Sequence, residues 1–413
     1  MEFCRRDDGR PLPVAPFRRG VSPPARALAA EDFARLSRTL RQQWSGRPCA
    51  VIDLERLDHN LRCVRRHLRG LPVRLVVKSL PSIELLRYAA TALDTQRLMV
   101  FHEPFLAQVQ RALPGADILL GKPLPVAALR HFYRRTEGVD DRRIHWLVDS
   151  RERLQQYGQL ARELGRRFSV CFEIDVGMHR GGLGSPAELA PLLDMIEGEP
   201  ALEFCGFMGY DPHVAKAPPL IASRRAAAEK SKRRYRAFVQ EYLQRYPGRS
   251  VDNLLLNGAG SLTYREHLRQ SPVNEVSLGS CLLKPTDFDD PQLAELLPAC
   301  HIAAPVLKCW QGLDLPYLRP LSRLFSHGRQ SLFLYGGRWM AKPVHPRSMR
   351  PSGLFGLSSN QQLMTVRKRE KLRTDDYVFF RPTQSEAVLL GFGDLVAERD
   401  GDIEALWPVL QQC

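Results

Sequence analysis

The sequence predicts a (β/α)8 barrel joined to a second, mostly β domain, and three observations carry the prediction. From Pro48 onward, short apolar runs alternate with helix-length amphipathic stretches, which is the pattern of a parallel sheet with crossover helices. About eight such units fill roughly 230 residues, the size of a closed barrel. After about residue 287 the crossover helices stop, and short strand-like runs separated by Pro and Gly replace them. A doubly wound open sheet shares the first observation, because counting repeats does not reveal closure.

Taken in order, residues 1–48 form an extension: a Pro- and Arg-rich lead, then one helix over Glu31 to Trp44 with an apolar stripe at Phe33, Leu36 and Leu40. Residues 49–287 form the barrel. Strands are expected near Ala50 to Leu54, Val73 to Lys78, Arg97 to Phe101, Asp117 to Leu120, Ile144 to Val148, Ser169 to Asp175, Glu203 to Gly209 and Leu254 to Asn257. Helices with apolar residues at spacings of three and four fall between them, clearest at Leu57 to Leu68, Arg151 to Leu164, Pro186 to Ile196 and Ile221 to Tyr246. Residues 288–413 form the β domain, with strands expected at His301 to Trp310, Ser331 to Tyr335 and Tyr377 to Phe380.

A chain of 413 residues with 44% hydrophobic content buries a large core. The first twenty residues hold Arg5, Arg6, Arg10, Arg18 and Arg19 among prolines with no apolar run after them, so neither a secretory signal nor a membrane span is expected and the location is read as cytoplasmic. Nine cysteines without a CxxC pair read as free thiols of a reducing compartment. The net charge of +15 raises the question of a nucleic-acid partner. Its densest run, Arg224, Arg225, Lys230, Lys232, Arg233, Arg234 and Arg236, has no interleaved aromatic platform and reads as a solvated helix face, so no nucleic-acid partner is expected.

In a barrel the chemistry sits on the loops that follow the strands. Lys78 closes one strand, where burial favours the neutral, nucleophilic amine of Schiff-base chemistry; the ordinary alternative is a side chain snorkelling from the rim. Glu173 to Gly182, with Arg180 among glycines, closes a second, and Gly209-Tyr210-Asp211-Pro212-His213 a third. Asn257-Gly258-Ala259-Gly260-Ser261 is read as an anion-binding loop or as a plain turn, and Glu275 to Ser280 is a further cluster. His213 titrates in the range of a general base, although a loop histidine with a structural partner is the commoner case.

A strand-end lysine, an anion-binding glycine loop and an arginine together define a pyridoxal phosphate site better than any one alone. The chain resembles fold-type III pyridoxal phosphate enzymes, in the branch of D-threonine aldolases and D-serine dehydratases related to the alanine racemase N-terminal barrel. The likeness rests on Lys78, Asp175 to Gly182, Tyr210, Asn257 to Ser261 and Glu275 to Ser280, in that order, across roughly residues 50 to 290. It implies that Lys78 holds the cofactor covalently and that Arg180 faces its phenolic oxygen. Tyr210, Asn257, Gly258, Ala259, Gly260, Ser261, Gly279 and Ser280 are implied to line the cofactor and its phosphate, in a homodimer whose partner completes the site.

The resemblance breaks at the metal site of that branch. Gln384 and Glu386 stand where its ligands fall, and the stretch Leu357 to Gln362 has glutamine where histidine is usual. Glutamine is a poor zinc ligand, so no catalytic metal is expected. Cleavage between Cα and Cβ of a small amino acid is then the leading expectation. Racemisation, with His213, His179 or Cys281 opposite Lys78, is the alternative, and a pyridoxal phosphate-binding protein without turnover is a third reading.

Overall fold

The computed structural model describes residues 28–218, 220, 222–311, 328–352 and 356–412. The Arg5 to Arg19 lead, Cys4 and Cys413 lie outside the described residues. The chain divides into two compact units: one runs to Leu61 and resumes over Leu282–Val409, the other is Arg62–Cys281 with the residues from Leu410.

The first unit opens with α1 (Ala30–Gln43) and β1 (Cys49–Asp53), and α2 (Leu54–Leu68) carries the chain out of it. The second unit is a closed barrel of eight parallel strands. In chain order these are β2 (Val73–Val76), β3 (Arg97–Val100), β4 (Asp117–Leu120), β5 (Ile144–Val148), β6 (Phe168–Glu173), β7 (Leu202–Gly209), β8 (Leu255–Gly258) and β9 (Glu275–Leu278). Between them run α3 (Ile83–Leu93), α4 (Glu103–Ala112), α5 (Val126–Arg135), α6 (Arg151–Leu164), α7 (Leu189–Glu197) and α8 (Arg224–Arg245). The expected (β/α)8 barrel is therefore present, with one strand exchanged. Ala50 to Leu54, expected as its first strand, belongs as β1 to the other unit, and Glu275 to Leu278, expected as a loop cluster, is the eighth stave. A short apolar run does not say which sheet it joins, whereas Glu275 looks like a loop residue until its charge is matched inside.

That matching fills the barrel interior. Fully buried Arg74 donates through Nε and Nη2 to the two oxygens of Glu275 (2.6 and 3.0 Å), and Arg97 Nη1 adds a third bond at 2.9 Å. Arg74 Nη1 lies 2.7 Å from Asp117 Oδ1. Asn257 Nδ2 donates to Glu275 Oε1 (2.7 Å) and Ser277 Oγ (2.9 Å). Both Arg74 and Glu275 are taken from water, and the bidentate geometry with neighbouring donors satisfies their lone pairs and protons.

Outside the strands the packing is aromatic. Trp146 lies against Phe132, Tyr133, Tyr157 and Phe168, and Tyr133 stacks on Phe168 at 5.5 Å. Ser150 caps α6 by accepting the Arg153 N–H, and Gly165 ends it at φ 60°, a left-handed value that glycine adopts without strain. The basic run lies on α8 and is not simply a solvated face. Lys232 is buried against Glu229 (3.0 Å) and Arg269 O, Arg224 binds Glu266 (2.9 Å), and Arg234 Nε donates to Asp175 O (2.8 Å). These cations hold rim loops in place, which composition alone does not reveal.

The chain returns through α9 (Ser280–Leu283) to the first unit, with β10 (Cys300–Gln311), β11 (Arg329–Tyr335), β12 (Ala341–His345), β13 (Arg350–Pro351), β14 (Gln361–Arg367), β15 (Tyr377–Pro382), β16 (Asp394–Arg399) and β17 (Asp402–Pro408). They join β1 in a nine-stranded sheet, mostly antiparallel, in which β1 pairs with β10 on one side and, in parallel, with β16 on the other. The expected stripe of α1 is buried: Phe33, Leu36 and Leu40 pack on Val51, Ala303, Phe379 and Val396. No helix among the described residues is long and apolar enough to cross a membrane, and the seven described cysteines carry free thiols.

Candidate functional site

The C-terminal ends of the barrel strands gather most of the residues that the sequence singled out. β2 runs into a 3-10 turn, Val77–Ser79, which projects half-buried Lys78 with its Nζ 4.5 Å from the centre of the Phe101 ring. That ring fits because residue 121 is glycine: a Cβ there would fall 2.4 Å from Phe101 Cζ. Behind Lys78, Ser280 Oγ donates to Ser79 Oγ (2.9 Å), and a Cβ on Gly279 would meet Ser79 Cβ at 2.9 Å and Val76 O at 3.0 Å. Only glycine lets β9 end this close to the lysine turn.

Ser261 links this turn to the next loop, its Oγ accepting the N–H groups of Gly279 (3.1 Å) and Cys281 (3.2 Å). Ala259 holds φ 67°, a strained value for a residue with a Cβ. A Cβ on Gly260 would strike Tyr210 Cε2 at 2.8 Å, and one on Gly258 would strike Val273 Cγ1 at 2.7 Å. Exposed Arg180 lies over the Tyr210 ring, with Cζ 5.2 Å from the ring centre. Ser79, which follows Lys78, thus begins a connected chain of contacts along the rim through Gly279, Ser280, Ser261, Gly260, Tyr210 and Arg180.

Two predicted residues stand apart from that chain. Asn257 spends its amide inside the barrel on Glu275 and Ser277, so its part is to fix the loop that follows. His213 is half-buried beside the loop after β6, with Nε2 3.2 Å from where a Cβ on Gly177 would sit. Its Nδ1 is buried with no hydrogen-bond partner among the described residues, and burial lowers its pKa, so the imidazole is neutral at pH 7. His179 is bound through Nδ1 to Asp175 Oδ2 (2.6 Å), which also accepts the Gly177 and His179 N–H groups at Oδ1, and Cys281 is fully buried.

Sequence reasoning missed a second line of support. Buried Asp211 accepts from Thr263 Oγ1 at Oδ1 (2.7 Å) and pairs with His267 Nε2 at Oδ2 (2.8 Å), while Thr263 Oγ1 accepts the Gly260 N–H (3.0 Å). One carboxylate therefore ties the end of β7 to the loop after β8. The only signal for it was its place between Tyr210 and Pro212; nothing marked Thr263 or His267. Glu173, at the end of β6, was quoted but not singled out. Burial pushes its carboxyl up to about 7, with Arg180 pulling it down and Asp149 and Asp175 pushing it up.

In the other unit Gln384 Nε2 donates to Asp287 Oδ2 (3.1 Å). Buried Gln362 accepts the Ser358 N–H (2.8 Å) and donates to Leu363 O (3.2 Å), a job that needs both ends of an amide.

With this geometry in place, comparison with known proteins is decisive at the level of family. Residues 52–286 match the family described as alanine racemase, N-terminal domain. The chain belongs to that family. Its structural neighbours in the alanine racemase family are fold-type III enzymes dependent on pyridoxal 5'-phosphate. D-threonine aldolase from Filomicrobium marinum superposes with a TM-score of 0.70 over 88% of this chain and 97% of its own, at 15% identity. Alanine racemase from Clostridium difficile 630 gives 0.65 over 86% and 97%, also at 15% identity. In sequence, D-threo-3-hydroxyaspartate dehydratase of Delftia sp. (strain HT23) is 31% identical over 151 residues, 35% of this chain and 37% of that enzyme.

The residues present fit the cofactor on two observations. Bare backbone at Gly279 and Gly260 packs against the Val77–Ser79 turn and Tyr210, where a Cβ would clash, and the lysine amine is carried on that same turn.

Proposed function

We propose that this protein is a pyridoxal-phosphate-dependent lyase of the D-threonine-aldolase type, acting without a metal on the Cα–Cβ bond of a small β-hydroxy amino acid. The observation that carries the reading is the run of rim contacts from Ser79, next to Lys78, through Gly279, Ser261 and Gly260 to Tyr210 and Arg180. Lys78 would hold the cofactor, Arg180 would face its phenolic oxygen, and Tyr210 with Gly258, Ala259, Gly260, Ser261, Gly279 and Ser280 would line the ring and phosphate. Bound pyridoxal phosphate supplies the electron sink for the pair released at Cα. The N–H groups of Gly260 and Gly279 are bonded to the Thr263 and Ser261 hydroxyls, so these amides would meet a phosphate only if those hydroxyls gave way.

Cleavage needs a base for the substrate's β-hydroxyl, and half-buried His213, neutral at pH 7, would serve through Nε2, since Nδ1 is buried. Lys78 returns a proton at Cα. Of the three groups considered opposite Lys78 for racemisation, His179 is bound to Asp175 and Cys281 is fully buried, which leaves His213 as the group a racemase would use. Gln384, turned as a donor toward Asp287, supports the metal-free reading. We further propose a homodimer whose partner completes the pocket.

The test is to load the protein with pyridoxal phosphate, record its visible band, and offer D-, L- and β-hydroxy amino acids with and without chelator. Aldehyde release unaffected by chelator is expected. Loss of optical rotation without aldehyde would replace the lyase by a racemase, chelator-sensitive turnover would overturn metal independence, and a visible band that persists in Lys78→Ala would overturn the role of Lys78.

A further inference from the structure

Among the side chains that this chemistry leaves unused, three share a cavity in the β-rich unit. The cavity, about 240 Å³, is lined by residues of α1 and by β1, β10 and β16. Asp53 and Glu398 are register neighbours on the parallel strands β1 and β16, and His301 pairs with Val51 across β1 and β10. All three line the cavity, and they are 7, 7 and 5% exposed.

Each has capacity left over or demand unmet. Glu398 accepts the Gly401 N–H at Oε2 (2.9 Å), while Oε1 has no hydrogen-bond partner among the described residues. The His301 ring lies edge-on to Phe33 at 5.6 Å and makes no hydrogen bond among the described residues. Asp53 accepts the Arg56 N–H (2.9 Å) and pairs with Arg56 Nε (3.1 Å). Burial pushes Asp53 up to about 6 against the pull of Arg56, and pushes Glu398 up to about 8 with the charge of Asp53 adding. Two carboxyls side by side are therefore short of positive charge.

Asp32, Glu55 and Asp400 line the same cavity, and the cations there are spoken for: Arg56 by Asp53, Arg35 by Asp400 at 2.9 Å. Burial, with Arg56 and Arg381 adding, pushes His301 down to about 3, so its imidazole is neutral and one ring nitrogen is an acceptor. At pH 7 Glu398 therefore holds a proton beside the Asp53 carboxylate, and a cation entering the cavity with several N–H donors would displace that proton and meet two carboxylates and a neutral imidazole acceptor.

We propose that this cavity binds a small primary alkylammonium ion, whose three N–H donors are shared among Glu398, Asp53 and His301. No three or more His, Cys, Asp or Glu side chains among the described residues are grouped closely enough to hold a metal ion at about 2 Å, whereas N–H donors reach acceptors at about 3 Å, and a quaternary ammonium has no N–H to give. The volume is several times the roughly 30 Å³ share of one water, enough for a chain of a few carbons. Phe33, which lines the cavity, offers that chain an apolar face.

The proposal is independent of the Lys78 chemistry, and its experiment keeps the two apart. The full-length protein is labelled with 13C at histidine Cε1, and the His301 resonance is assigned with His301→Gln. Titration with n-propylammonium chloride is expected to move that resonance saturably. The response is expected to persist in Lys78→Ala and to weaken by about tenfold or more in Glu398→Gln. Tetramethylammonium chloride at equal ionic strength is expected to leave it still. No movement with n-propylammonium, an equal movement with tetramethylammonium, or loss of the response in Lys78→Ala would each overturn the proposal.

Discussion

Single residues in this protein are read wrongly when charge alone is considered. Arg74 sits in what reads as an apolar strand, and Glu275 in what reads as a loop, yet together they are the buried ion pair of the barrel interior. Removing one partner leaves the other charge buried and unmatched, so Glu275→Gln is expected to cost about 3–5 kcal/mol, read as a fall in the midpoint of urea unfolding. A change under about 1 kcal/mol would mean that water reaches the pair. Glu173 supplies the pH dependence. Its folded pKa, raised by burial to about 7, lies above an unfolded value near 4.3, so the native state holds the proton more tightly. That stabilisation is complete below about pH 4.3 and is lost as pH rises through about 7. Glu173→Gln, neutral at every pH, is expected to flatten the fall in stability between about pH 5 and pH 8 and to exceed the parent at about pH 8 by on the order of 2 kcal/mol. Parallel pH profiles would show that Glu173 titrates as an ordinary carboxylate.

At the level of elements, strand ends and the loops behind them decide the site. The end of β9 approaches the lysine turn only because residue 279 lacks a Cβ. Gly279→Ala is expected to displace the Val77–Ser79 turn and weaken pyridoxal phosphate retention by about tenfold, measured as loss of the visible band on dilution. Gly391→Ala, where a Cβ meets nothing within 4 Å, is the matched control and is expected to retain the cofactor. Asp211→Asn removes the carboxylate that binds Thr263 and His267 together, and the loop over Gly258 to Ser261 is expected to become protease-sensitive while the barrel keeps its far-UV spectrum. Equal protection of that loop in parent and variant would assign Asp211 no positioning role. The sequence showed these loops as glycine-rich clusters at strand ends. It did not show that Asn257 faces inward or that two of the amides expected to meet a phosphate already meet hydroxyls.

Across the whole molecule the basic side chains have two fates. Some are engaged internally, as Arg74, Arg224, Lys232 and Arg234 show. Pairing with carboxylates leaves the net +15 unchanged, and that charge draws small anions toward the surface, so the association rate of pyridoxal phosphate is expected to fall severalfold between about 0.01 and about 0.5 M NaCl in stopped-flow absorbance. A rate independent of salt would show that the net charge does not steer the cofactor. What the sequence determined by itself was local and periodic: alternation of apolar runs and amphipathic helices, a lysine closing a strand, glycines at strand ends, and the stripe of α1. Those features depend on residues close in the chain, where spacing translates directly into which way a side chain faces. Tertiary structure alone decided which strand closes the barrel, because β1 and β9 are both short and only long-range pairing distinguishes them. It also decided which charges are interior, since the partner that makes burial of Arg74 tolerable lies 201 residues away.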